Sequence, residues 1–288
     1  MNIDIQLVHQ LIASQFPKWA DLFIKQIIPG GHDNRTFCLG DKMIVRLPSD
    51  AQYAMQVKKE QQWLPKIAPL LPLPIPAPIA MGTKDTCYPY EWSVYQWIEG
   101  EIVTYENITD LSKFALQLAS FLNALQQINT INAPLPGAHN FFRGGDISIY
   151  DNETRNAITT LGNKIDSEHV IAVWDEAIST TWDQQPVWIH GDMVADNLLC
   201  KNGKLSAVID FGCMGIGDPA CDLAIAWTFL AEKSRRLFCE SLSMDSATWA
   251  RGKGWALWKA LITLTENLNT NPIKAKKSQL VIDEILKS

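Results

Sequence analysis

Along residues 4–16, apolar side chains recur at Ile5, Val8, Leu11, Ile12 and Phe16. This is the three-and-four spacing of one helix face, so an amphipathic helix is predicted to open the chain. The pattern then shortens. Residues 23–28 form a strand-like run that meets Pro29-Gly30-Gly31, and residues 35–39 and 43–47 follow as short runs about a Gly40-Asp41 turn. Strands of that length between glycine turns predict an antiparallel meander. Ser49 is placed as the N-cap of a helix over residues 50–64, ended by Pro65. The proline-rich segment 65–82 is expected to run extended against the protein. Residues 90–98, YEWSVYQWI, are aromatic and β-branched and predict a strand. The composition changes at Glu99-Gly100, where a boundary is drawn between a lobe of residues 1–98 and a lobe of residues 99–288.

Beyond residue 109 the period becomes helical. Leu111, Phe114, Leu118, Phe121, Leu122, Leu125 and Ile128 form one apolar stripe. Residues 131–146 read as a Pro/Gly-rich loop. Helices are predicted over residues 147–162, 167–181 (capped by Ser167), 219–230, 233–242, 246–268 and 273–286. Between them lies the stretch WIHGDMVADNLLCKNGKLSAVIDFG, residues 188–212. The fold class that follows is α+β: a small antiparallel β-rich N-terminal lobe and a larger, mainly helical C-terminal lobe.

Composition narrows the picture. The chain is 47% hydrophobic and 19% charged, with net charge −6 and no basic cluster, which argues against nucleic acid as a partner and is compatible with a cationic ligand. No apolar run is long enough for a membrane-spanning helix, and the N-terminus lacks the pattern of a secretory signal. Six scattered cysteines without CxxC pairs read as reduced thiols of a cytoplasmic protein. Nothing in the composition chooses between monomer and homodimer.

The chemistry concentrates in residues 188–212. Gly191 makes a sharp turn, so Asp192 stands on a loop. Asn197 begins a strand, Asn202-Gly203 is a hairpin turn, and the return strand delivers Asp210 near the level of Asn197. Asn197 and Asp210 can therefore share one Mg²⁺, a hard cation that takes carboxylate and amide oxygens beside a nucleotide's phosphates. Asp192, without a metal role, can orient an attacking hydroxyl and accept its proton. His190 is read as a structural hydrogen-bond partner.

HGDMVADN followed by IDFG resembles the HGDxxxxN and IDxG motifs of the aminoglycoside phosphotransferase and choline kinase families, relatives of the protein kinases. Gly217-Asp218-Pro219-Ala220-Cys221-Asp222-Leu223-Ala224 looks like their GDPxxDLA segment. The resemblance spans residues 24–265. It implies a bilobal protein-kinase-like fold and transfer of the γ-phosphate of ATP or GTP to a small-molecule hydroxyl. Asp192 would be the base, and Asp222 would be buried and hold the catalytic loop. Gly31 and Asn34 would lie where a loop covers the nucleotide. Arg46 stands where these kinases carry lysine, with Glu60 as its acidic partner, and backbone groups of Gln96, Trp97 and Ile98 would meet the purine edge. An aminoglycoside-type antibiotic heads the expected acceptors, which would make the protein a resistance enzyme. Homoserine, choline, a sugar or a macrolide are the alternatives. An inactive kinase-like binding module and a metal-dependent hydrolase are the competing classes. Phe141, Phe142 and Arg143 lie in a loop for which a packed aromatic turn is the more economical reading and a place in the acceptor cleft the alternative, and Trp249, Trp255 and Trp258 are assigned to core packing.

Overall fold

A computed structural model of the chain describes residues 2–287 except 29 and 32. Helix α1 (Ile5–Gln15) is capped by Asp4 and packs through Leu7, Val8, Leu11 and Ile12. It lies against a five-stranded sheet of β1 (Ile24–Gln26), β2 (Asn34–Leu39), β3 (Met43–Pro48), β4 (Pro78–Gly82) and β5 (Trp92–Gln96). The order is β1-β2-β3-β5-β4 and every pairing is antiparallel. Phe37, Leu39, Val45, Leu47, Trp92 and Val94 point to α1, the alternation a half-buried sheet requires. Pro78 starts β4 on the sheet edge, where a missing N–H is tolerated.

Helix α2 (Ala51–Ile67) crosses between β3 and β4. Its N-cap is Asp50, not Ser49: the Asp50 carboxylate accepts from Gln52 N–H, while Ser49 donates to Asp33 O. Pro65 does not end the helix. It sits in the last turn, where one lost hydrogen bond is tolerated while Leu64 and Ile67 are buried. The turn at residues 68–70 is also helical, so only the later part of the proline-rich segment is extended. The strand expected over residues 90–98 shortens to Trp92–Gln96.

The C-terminal part carries β6 (Glu101–Ile102), α3 (Leu111–Gln126), α4 (Asp151–Leu161), α5 (Ser167–Ile178), β7 (Val187–Ile189), β8 (Leu198–Lys201), β9 (Lys204–Val208), β10 (Gly215–Gly217), α6 (Ile225–Thr228), α7 (Glu232–Ser241), α8 (Ser246–Asn267) and α9 (Pro272–Leu286). Asp166 rather than Ser167 caps α5, because its carboxylate reaches His169 N–H. The helix expected over residues 219–230 is a 3₁₀ turn followed by the short α6, and the one expected over residues 147–162 likewise opens as a 3₁₀ turn. The two small sheets, β6-β8-β9 and β10-β7, frame the stretch 188–212.

Two hydrophobic clusters divide the molecule. One belongs to α1 and the five-stranded sheet. The larger belongs to the helices but also takes in Trp63, Leu64 and Ile67 of α2 and Tyr95 of β5. Helix α2 thus belongs with the larger cluster, which reaches the sheet through Tyr95. Among the described residues no helix is long and apolar enough to cross a membrane.

Candidate active site

The β8–β9 hairpin places two polar residues by register alone. Leu198 pairs with Val208, and Ile209 N–H donates to Asn197 O at 2.8 Å, so Asn197 and Asp210 emerge side by side at the open end. The closed end is Asn202-Gly203, both at positive φ (54° and 75°), the twist that matches a two-residue hairpin. Asp210 itself sits in the left-handed region (φ 63°, ψ 66°), a conformation that costs a non-glycine residue about 1–2 kcal/mol and must be held by its surroundings.

The loop after β7 is held from beneath. Asp222, fully buried, accepts the His190 N–H at 2.7 Å and the Gly191 N–H at 2.8 Å. Burial pushes its carboxyl above the usual carboxylate range, and these two N–H groups with His190 pull against that. The His190 ring is a second strut. Its Nδ1 accepts from Asp192 N–H, its Nε2 lies 2.9 Å from Ile209 O, and its ring stands edge-on to Phe211. Those partners suit the neutral tautomer protonated at Nε2. Gly191 lies at φ 85°, and a Cβ there would stand 2.3 Å from Cys213 O. Only glycine brings the loop this close to the Asp210 turn. Asn197 Nδ2 donates to Asp192 O at 2.9 Å and to Asp192 Oδ2 at 3.1 Å, which aims the Asp192 carboxylate.

Asn197 Oδ1 and the Asp210 carboxylate are then hard oxygen donors side by side. Together with nucleotide phosphates they fit Mg²⁺. Among the described residues no group of three His, Cys, Asp or Glu could hold a metal without such help.

Arg46 on β3 connects this floor to the sheet. Its Nη2 is 2.7 Å from Asp210 Oδ1 and its Nη1 3.6 Å from Glu60 Oε1. Tyr95 donates its hydroxyl to Glu60 Oε2 at 2.6 Å. The sequence pairs Arg46 with Glu60; the guanidinium also spans to Asp210, which a shorter ammonium does less readily because it lacks the planar fork. Burial raises the Glu60 carboxyl and Arg46 opposes that. Asp210 lies at the floor of a cleft that still leaves its side chain 40% exposed. Enclosure raises its carboxyl, and Arg46 more than reverses this, so the net shift is downward.

The other nucleotide-side residues are less tightly placed. Gly31 is exposed and its carbonyl accepts from Arg35 Nη1, while Asn34 is buried at the start of β2; Pro29 and His32 of the same turn lie outside the described residues. At the expected purine edge, Gln96 N–H already donates to Ala77 O and Trp97 N–H to Lys42 O. Two of the three backbone N–H groups expected there are therefore engaged within the protein.

One residue at this site escapes the sequence reading. Lys59 of helix α2 is buried. Its Nζ lies 2.8 Å from Gly212 O, 2.9 Å from His139 Nδ1 and 3.3 Å from His139 O. Burial lowers its pKa to about 8. Its neighbour Lys58 is the exposed member, paired with Glu91. The available signal was the helical phase: Gln56, Lys59, Glu60 and Trp63 share one face with Tyr53, and all are buried. A second buried pair was also missed. Arg251 of α8 bonds Asp218 at 2.7 Å and reaches Thr180 and Thr248. It fastens α8 to the segment that carries Asp222.

On the far side of Asp192, a cavity of about 40 Å³ is lined by Asp192, Arg143, Trp255, Trp258 and Lys259 among others. Arg143 thus borders the same cavity as Asp192. Trp255 and Trp258 are buried as core packing requires, yet form part of this wall.

The profile of the phosphotransferase enzyme family, abbreviated APH, matches residues 26–255. Among curated proteins, aminoglycoside 3'-phosphotransferases of Escherichia coli and Salmonella typhimurium are each 33% identical over 141 residues, 46% of this chain and 48% of theirs. The chain spans about half the length of the curated relatives it matches. Among solved structures, the GDP and kanamycin complex of APH(2")-IIIa superposes with a TM-score of 0.73 at 18% identity, covering 96% of this chain and 97% of that one. The streptomycin–ATP–APH(2")-IIa ternary complex gives 0.63 at 18% identity, covering 100% and 97%. The α+β architecture with its antiparallel sheet and helical lobe is therefore the kinase-like fold of the aminoglycoside phosphotransferases. With the matched profile extending over most of its length, the chain belongs to the phosphotransferase enzyme family.

Proposed function

We propose that the protein transfers the γ-phosphate of ATP or GTP to a hydroxyl of a small molecule, in a cleft between residues 1–98 and residues 99–288. The observation that carries this reading is the convergence of Asp192, Asn197 and Asp210 on one loop-and-hairpin unit, with the Asp192 carboxylate aimed by Asn197 Nδ2 and the loop suspended from Asp222. Asp192 orients the acceptor hydroxyl and takes its proton as the oxygen attacks phosphorus. Asn197 and Asp210 would hold Mg²⁺, which when bound neutralises charge on the β- and γ-phosphate oxygens. Arg46 places a fixed positive charge beside Asp210, where phosphate oxygens would approach, and Glu60, held by the Tyr95 hydroxyl, pairs with it from the other side. His190 and Asp222 position the loop without touching substrate. The free thiols suit a cytoplasmic setting.

The names of the curated relatives put aminoglycosides first in an acceptor screen, followed by macrolides, amino alcohols, homoserine and sugars. Nucleotide consumption and product mass would be measured with Mg²⁺, beside Asp192→Ala. The variant is expected to lose roughly 10²–10⁴-fold in turnover, the range of a removed general base, while binding nucleotide normally. Full turnover in Asp192→Ala would sink the assignment of Asp192.

A further inference from the structure

A buried charge normally has a partner, because leaving water without one is costly. Arg143 has none. It is 8% exposed, its Nη1 is fully enclosed without a hydrogen bond, and it joins no ion pair among the described residues. Aromatic faces surround it instead: its guanidinium carbon lies 4.8 Å from the Trp255 ring centre, 4.7 Å from Trp258 and 5.9 Å from Tyr150. Ring faces hold a cation in place but do not neutralise it.

The chain spends conformational energy to put Arg143 there. Phe141 and Phe142 both lie in the left-handed region, at φ 52° and 55°, and two such residues in a row cost about 1–2 kcal/mol each. Asn140, fully buried, holds them: its Oδ1 accepts from Gly137 N–H and its Nδ2 donates to Arg143 O. Gly144 O then accepts from Asp218 N–H at 2.8 Å. The loop is tied at both ends of Arg143, and the side chain borders the same cavity as Asp192. Lys259 adds a second cation to that wall, and Asp192 is its one carboxylate.

From this geometry we infer that the acceptor carries an oxyanion group, a carboxylate or a phosphate, which Arg143 binds while the neighbouring hydroxyl sits at Asp192. The inference rests on the phosphotransfer reading and sharpens its acceptor class. A guanidinium offers paired N–H donors that match a carboxylate or phosphate. A polycationic acceptor would meet Arg143 and Lys259 with like charge. The cavity, about 40 Å³ and partly open to solvent, has room for the anionic end of a small hydroxylated molecule beside Asp192.

The test uses matched acceptors on the full chain with Mg²⁺ and ATP or GTP. Small hydroxy acids and hydroxyl-bearing phosphate monoesters are each paired with their own neutral amide or ester, beside a representative aminoglycoside, and phosphorylated product is measured by mass. We expect each acid to exceed its neutral partner in kcat/KM by about tenfold or more, the worth of a charge-assisted hydrogen bond. The ratio should fall toward one in Arg143→Gln and recover in part in Arg143→Lys. A merely structural Arg143 would lower both members of a pair together and leave the ratio unchanged, which overturns the inference. Equal or better transfer to neutral acceptors or the aminoglycoside also overturns it and leaves phosphotransfer standing. No transfer to any acceptor overturns both. Preference for acids over phosphates, or the reverse, identifies the oxyanion.

Discussion

Asp222 is the residue on which the catalytic loop hangs. It accepts two backbone N–H groups that no other side chain reaches, so Asp222→Ala leaves both buried donors unpaired. We expect a loss of about 3 kcal/mol in chemical denaturation, and a fall in kcat larger than the rise in nucleotide KM, because the loop carries Asp192 rather than the nucleotide contacts. Lys59 gives a pH signature. Burial brings its pKa to about 8 from an ordinary value of 10.5. Between those values the unfolded chain holds a proton that the folded chain has released, so raising the pH favours the folded state, by a total of about 3 kcal/mol. Below pH 8 both states are protonated and the full penalty of burying the charge remains. Unfolding of wild-type and Lys59→Met proteins compared at pH 7 and pH 10 should show the difference moving in favour of wild type as pH rises. An unchanged difference would mean that Lys59 keeps its proton in the fold.

At the scale of the element, the β8–β9 hairpin sets the spacing between Asn197 and Asp210. Its turn uses Gly203 at φ 75°, where an added Cβ would lie 2.3 Å from Thr109 Cγ2. Gly203→Ala should cost about 1–2 kcal/mol from the left-handed conformation alone, with displacement of Thr109 adding to it. Thermal unfolding measures the loss, and Mg²⁺-dependent turnover should fall with it if register shift moves Asp210. Helix α2 is the other element that matters here. It brings Gln56, Lys59, Glu60 and Trp63 along one buried face, and thereby touches the Asp210 turn, the loop at His139 and the sheet at Tyr95.

Across the whole molecule, the site is fixed by ties between distant segments. The Arg251–Asp218 pair joins α8 to the segment under the catalytic loop. Burial raises the Asp218 carboxyl and Arg251 draws it back. Arg251→Leu alone should destabilise by about 3–5 kcal/mol, because it strands a buried carboxylate, whereas Arg251→Leu with Asp218→Asn should cost clearly less. A double-mutant cycle by denaturation reads the coupling; additive losses would show that the two groups act independently. Arg46 is the corresponding tie across the cleft, from β3 to Asp210.

Most elements, and the juxtaposition of Asp192, Asn197 and Asp210, were legible in the sequence. Apolar periodicity placed α1 and α3, glycine turns and β-branched or aromatic runs placed the strands, and the Asn-Gly turn between two short strands was enough to bring Asn197 and Asp210 together. These are local matters, settled within a few residues of backbone geometry. Helix boundaries were legible only roughly, since Asp50 and Asp166 rather than the neighbouring serines turned out to cap, and Pro65 was absorbed into a last turn whose apolar side chains are buried. The fate of the charged side chains was settled only by packing between remote segments. Whether Lys59, Arg143 or Arg251 faces water or a partner depends on which remote surface packs over it. Lys58 and Lys59 are adjacent and alike in sequence, yet one is solvated and the other enclosed against Gly212 and His139. The cost of burying a charge is set by the groups that the fold brings within a few ångströms, and no local pattern contains them.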